Sequence, residues 1–269
     1  MTRPQSMQDK VQEAERLCKK TSSFWGFGAK PDYMQGALLF EEVADEANSQ
    51  KEKEKYYVYA VDNFLKTQDE YGTWRACECY GKLYSLFIKE NRDKASEYQE
   101  RAIDLLKTIK KWTIAGQKCI QLAELYEIDQ VPKALAFFNN AIECYQHVDN
   151  YKANLKSVKL KALICLITMK QLAQIIDLLK NNPKLFDRQK FCLQLLLIME
   201  KKYKDMVDDD LENPEEQAVI DCILNDNKED AERKISEFRE NTHLNLHAEL
   251  ILNMFLEYAE YSKFEDEIC

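Results

Sequence analysis

An all-α fold is predicted by three features of this 269-residue chain: a scarcity of helix breakers, a 39-residue internal repeat, and repeat residues spaced for one helix face. Glycine occurs 6 times and proline 5 times, well below ordinary usage. Both are costly inside helices and common in turns, so their scarcity implies helix after helix with short connectors. Apolar residues make up 45% of the chain, enough to bury a continuous interior. The length is great for one compact core and ordinary for a stack of helical repeats.

The repeat is read directly from spacing. Ala37, Ala76, Ala115 and Asn154 follow one another at 39 residues, and so do Ala95, Ala134 and Ala173. The second series brings neighbours with it: Ala95, Tyr98 and Ala102 recur as Ala134, Phe137 and Ala141, then as Ala173 and Ile176. Spacings of three and four place such residues on one helix face. A small alanine beside a large side chain lets two helices approach while the larger group fills the adjoining gap. Two interleaved series imply two helices per repeat, an α-solenoid of antiparallel helix hairpins similar to tetratricopeptide repeats but longer.

Breaks fall where hairpins should turn. Asn91-Arg92-Asp93 separates two helices, and Asp129-Gln130-Val131-Pro132 opens the next with proline in its first turn. Asn181-Asn182-Pro183 closes the segment holding Ala173, and Asn213-Pro214-Glu215-Glu216 opens another with acids at its N-terminus. Beyond residue 180 the phase weakens, and the run Leu193–Met199, apolar apart from Gln194, reads as a buried helix. The expected organisation is a repeat region over 1–180 and a continuous C-terminal helical bundle with an acidic tail over 181–269.

Several function classes lose support. The six glycines include no phosphate-binding loop, and Gly26-Phe27-Gly28 lacks a third glycine and a preceding strand. His243 and His247 stand four apart without a matching carboxylate, so surface or half-buried histidines are expected rather than a zinc site. No cofactor and no enzymatic activity are expected. No basic stripe interleaved with exposed aromatics suggests nucleic acid. Nine cysteines form no C-x-x-C pair, which fits small buried residues in a reduced cytoplasmic compartment. No run reaches the roughly 20 apolar residues of a membrane span, and Met1-Thr-Arg-Pro-Gln-Ser does not begin a secretory signal.

Charge is distributed unevenly. Residues 1–200 hold 30 basic and 27 acidic side chains, whereas residues 201–269 hold 8 and 20. Such polarisation suits two partners of opposite charge, although a merely soluble acidic end has the same composition. Three segments invite a role. Ser22-Ser23-Phe24-Trp25-Gly26-Phe27-Gly28 reads as an aromatic loop tip, fit either to dip weakly into a membrane surface or to cap the first hairpin. Lys107, Lys110, Lys111, Lys118, Lys152, Lys156, Lys159 and Lys161 form a basic middle, either a stripe for a long acidic partner or solvated helix surface. Phe264-Glu265-Asp266-Glu267-Ile268-Cys269 reads as a short docking motif for a basic partner.

These residues together resemble the soluble NSF attachment proteins, the SNAP family. The likeness begins in the Phe24–Phe27 loop and continues into Pro31-Asp32-Tyr33, Gly36-Ala37 and Phe40-Glu41-Glu42 with Ala44. It is most specific in Trp112–Glu127 and carries on through Pro132–Ala141, covering residues 10–180. Pro31-Asp32-Tyr33 and the terminal cysteine resemble γ-type members, and the acidic tail resembles α-type members. The resemblance implies an adaptor that coats an assembled, syntaxin-type SNARE bundle and recruits the ATPase NSF, to which the ATP chemistry belongs. It implies a SNARE-binding basic face at Lys111, Lys118, Lys156 and Lys159, with Gln117 and Ser157 at positions where the family carries cations. It implies NSF contacts at Asp221, Asp226, Glu265, Asp266, Glu267 and Ile268, and weak membrane contact through Phe24, Trp25 and Phe27. Two alternatives stand beside it: a generic repeat scaffold for peptide tails, and a SNAP mimic that binds SNAREs without activating NSF.

Overall fold

A computed structural model describes residues 6–19, 31–200, 211, 213–224 and 228–268, the last stretch by backbone alone at 228–232 and 259–268. Every regular element among the described residues is an α-helix, and there are thirteen. They are α1 (Met7–Cys18), α2 (Tyr33–Glu46), α3 (Gln50–Lys66), α4 (Glu70–Phe87), α5 (Arg92–Thr108), α6 (Trp112–Tyr126) and α7 (Val131–Gln146). Then follow α8 (Lys152–Thr168), α9 (Leu172–Lys180), α10 (Gln189–Met199), α11 (Pro214–Leu224), α12 (Lys228–Asn241) and α13 (Leu246–Ile268). In the first unit α2 packs on α1 and α3, and α4 on α3 and α5, as TPR-like antiparallel hairpins. No described helix is long and apolar enough to cross a membrane.

The chain divides into two compact units, one of Met1–Leu125 with Asn140–Tyr151, the other of Tyr126–Asn139 with Lys152–Cys269. In the first unit each early helix starts on a capping side chain. Ser6 and Asp9 form a reciprocal capping box, and Asp32, Ser49, Asp69 and Asn91 accept from the backbone N–H groups of Gln35, Glu52, Gly72 and Lys94. Each such bond satisfies a donor that helix geometry leaves unpaired. Helix α5 is closed two residues past Thr108 by Lys110, whose φ of 56° lies in the left-handed region. There the Lys111 N–H donates to the Leu106 carbonyl at 2.9 Å, closing a Schellman-type end.

The 39-residue register has a structural meaning in this unit. Ala37, Ala76 and Ala115 are all fully buried, and so are Ala95, Ala102 and Ala141. Phe40, Phe64, Leu83, Leu106, Leu122 and Tyr145 fill the space between them. Close approach is carried further by glycine. A Cβ on Gly72 would lie 2.5 Å from the Phe64 carbonyl oxygen, and one on Gly116 would lie 2.8 Å from the Tyr145 ring.

The second unit departs from the register. Asn154 and Ala173, next in the two alanine series, are exposed. Ala95 and Ala134 are the fourth residues of α5 and α7, whereas Ala173 is the second residue of the nine-residue α9. Starting later in the register leaves this alanine at the open helix end, while Ile175, Ile176 and Leu179 take the buried stripe. The expectation that Ala173 continues the packing series is thereby corrected. The run Leu193–Met199 does form a helix within α10, with Leu195, Leu196 and Leu197 fully buried. Gln189 holds the α9–α10 turn: its amide nitrogen donates to the Leu179 and Asn182 carbonyls at 2.8 and 2.9 Å, and its amide oxygen accepts from the Leu185 N–H at 2.6 Å. Helices α8 and α10 pack on α13, and α11 packs on α12 and α10.

Eight cysteines are described, all free thiols, and six are buried. Burial raises the pKa of the Cys77 thiol to about 11 and pushes Cys79 and Cys192 higher still. They pack as small apolar groups. His147 stacks on Trp112 at 4.2 Å and His247 on Phe186 at 5.7 Å. Among the described residues no three His, Cys, Asp or Glu side chains are grouped to hold a metal ion.

Candidate protein-binding faces

Helices α2, α3, α4 and α6 line a polar groove of about 760 Å³ in the first unit. Its walls carry Lys53 and Tyr57 from α3, Arg75, Glu78, Gly81 and Lys82 from α4, and Lys118 from α6. Glu41, only 7% exposed, anchors the floor. Arg75 reaches it at 2.5 Å and Lys82 at 3.1 Å, and Lys82 also binds Asp45 at 2.8 Å. Burial alone would lower the Lys82 pKa, but hydrogen bonds from its ammonium to Asp45 and Glu41 outweigh it, leaving the pKa raised. Tyr57 donates to the same Asp45 carboxylate.

Lys118 is held differently. Its ammonium donates to the Gln99 side-chain oxygen at 3.2 Å, a neutral partner, and burial lowers its pKa. Its neighbour Gln117 is exposed, so one step along α6 separates an exposed position from a recessed one. Lys111, at the start of α6, is exposed and pairs with Glu70 at 2.8 Å.

In the second unit, Lys152, Lys156 and Lys159 rise from one face of α8, whose Val158 is buried. Lys152 and Lys156 are exposed and make no ion pair with described residues; half-buried Lys159 donates to the Asn182 side chain. On α11, Asp221 is exposed and accepts from the Gln217 amide at 2.8 Å. Asp226, Phe24, Trp25 and Phe27 lie outside the described residues. Glu265, Asp266, Glu267 and Ile268 are the last residues of α13, with only their backbone described.

Sequence reasoning missed the compensating acids. Arg75–Glu41, Lys82–Asp45, Lys107–Glu143 and Lys10–Glu46 join residues 34 to 37 positions apart, close to one repeat. Opposite charges one repeat apart were the available signal. These pairs between neighbouring repeats engage Lys10, Arg75, Lys82 and Lys107 of the first unit.

Stacked antiparallel helix hairpins place the chain in the broad class of TPR-like helical-repeat proteins. Within that class the assignment is specific: residues 5–181 match the family model described as soluble NSF attachment protein, SNAP, and the chain belongs to that family. No curated protein matches the chain. Among solved structures it is similar to one described as the crystal structure of BtubC (BKLC) from P. vanneervenii, at 15% identity over 89% of this chain and 91% of that one. The TM-score is 0.37, a likeness that carries no argument about function.

Proposed function

We propose that this chain is a SNAP-type adaptor that binds assembled SNARE complexes and recruits and activates the NSF ATPase, serving SNARE disassembly in vesicle fusion and intracellular protein transport. Membership in the soluble NSF attachment protein family is the observation that carries the reading. The charge distribution supports it. Lys111, Lys118, Lys156 and Lys159 are the cations for an acidic helical bundle. The acid-rich stretch 201–269, with Asp221, Asp226, Glu265, Asp266, Glu267 and Ile268, is the surface for the motor. The chain itself performs no reaction in this scheme; it couples a four-helix substrate to an ATPase. Phe24, Trp25 and Phe27 add a weak contact with the membrane surface, placing the adaptor in the cytoplasm and peripherally on membranes.

The family match ends at residue 181, before the acid-rich stretch. This favours, as a second reading, a SNAP mimic that binds SNAREs without activating NSF. One experiment separates them. Purified chain, soluble SNARE bundle and NSF are run together on a sizing column, and NSF ATPase activity is measured with and without Glu265–Cys269. Co-elution of all three, with stimulation lost on truncation, supports the adaptor. Bundle binding without NSF supports the mimic, and no bundle binding sinks both.

A further inference from the structure

Four glycines are described, and three are explained by crowding. A Cβ on Gly36 would lie 2.3 Å from the Cys18 sulfur, one on Gly72 2.5 Å from the Phe64 carbonyl oxygen and one on Gly116 2.8 Å from the Tyr145 ring. Gly81 differs. It stands inside α4, where glycine is a poorer helix former than alanine. A Cβ there would meet only the Lys118 ammonium, at an ordinary contact distance of 3.6 Å. Packing does not demand this glycine. What it does is leave open the space above Lys118.

Lys118 is equipped to use that space. A lysine ammonium has three donors, and the described partner here is one neutral amide oxygen, on Gln99 at 3.2 Å. Gln99 is fully buried, and its amide nitrogen donates to the Gln121 side-chain oxygen at 2.8 Å, which turns its oxygen toward Lys118. The groove's other cations are Arg75 and Lys82, bound to Glu41, Asp45 and Glu78, and Lys53, which makes no ion pair with a described residue and acts on Asp45 only at longer range. An ammonium recessed in the wall of the groove, with one amide oxygen as its described partner, keeps donors for an incoming acceptor. An incoming carboxylate would complete its shell, with Lys53 adding favourable field.

We propose that this groove seats one carboxylate side chain of the bound partner helix against Lys118, and that Gly81 is the specificity-determining residue that keeps the approach open. The inference rests on the adaptor reading, since it presumes an acidic helical partner. It adds to that reading a single deep contact among shallow ones and a residue with no charge of its own.

The test measures affinity of the full chain for a soluble, assembled SNARE bundle by titration calorimetry. Lys118→Met and Gly81→Leu are each expected to weaken binding about tenfold, and the double variant no further, because both remove the same contact. Gly81→Ala should melt no lower than the native chain while losing less affinity, which separates coverage of Lys118 from damage to α4. Native affinity in Lys118→Met, or additive losses in the double variant, overturns the inference while leaving the adaptor reading intact. Failure of the native chain to bind the bundle overturns both.

Discussion

The Lys111 ammonium lies 2.8 Å from the Glu70 carboxylate, so the first cation of the proposed SNARE face is already engaged by its own chain. Both side chains remain substantially exposed, at 43% and 65%. An exposed pair of this kind contributes at most about 1 kcal/mol to stability. Its effect on binding is larger in principle, because an acidic partner must displace Glu70 or tolerate it. Glu70→Gln is therefore expected to leave the melting temperature nearly unchanged, to raise affinity for an acidic SNARE bundle severalfold, and to steepen the salt dependence. Unchanged affinity in a titration at low salt would remove Lys111 from the face.

Gly116 and Gly81 predict opposite responses to one methyl group. Alanine at 116 drives a Cβ to 2.8 Å from the fully buried Tyr145 ring, and overpacking of a core costs about 1–3 kcal/mol. Alanine at 81 meets nothing closer than 3.6 Å and gains helix propensity of up to about 1 kcal/mol. Urea denaturation should show Gly116→Ala less stable than the native chain and Gly81→Ala as stable or more so. A shared sign would refute the packing argument.

Lys110 holds a left-handed backbone angle, φ 56°, that a residue with a Cβ adopts at some cost. Replacement by glycine is expected to stabilise the chain by about 0.5–1 kcal/mol, whereas Lys110→Ala, which keeps the Cβ, should not. The comparison removes the lysine charge in both variants, so a difference between them isolates the backbone effect. Equal melting temperatures would contradict it.

How much of this was legible beforehand follows from what periodicity records. Ala37, Ala76 and Ala115 announced buried small residues at helix crossings, and all three are fully buried. The spacing carried no information about where each helix begins, and for that reason Asn154 and Ala173 looked equivalent to their predecessors and are not. Charge counting identified Lys111 and Lys118 as a like pair. Only three-dimensional placement separates a surface lysine bound to Glu70 from a recessed one bound to Gln99. The glycine over Lys118 had no signature at all, since Gly72, Gly81 and Gly116 are indistinguishable in a sequence.

Acid should destabilise the first unit partly through two tyrosine-bound carboxylates. Burial pushes the Asp45 and Glu54 pKa values upward, but hydrogen bonds from Lys82 and Tyr57 to Asp45, and from Lys94 and Tyr98 to Glu54, outweigh it and hold both below their ordinary values of 3.8 and 4.5. A carboxyl whose folded pKa is depressed stabilises the fold fully above its unfolded value, and that contribution disappears as pH falls through the folded value. Stability is therefore expected to be flat from about pH 6 to 7 and to decline below about pH 4.5. Tyr57→Phe and Tyr98→Phe each remove one bond that favours the ionised form. Both variants should be less stable at neutral pH and show a shallower acid decline, because less of their stability depends on ionisation. Urea midpoints measured across this range decide the matter: an acid slope in the double variant equal to that of the native chain would mean that these two carboxylates do not govern it.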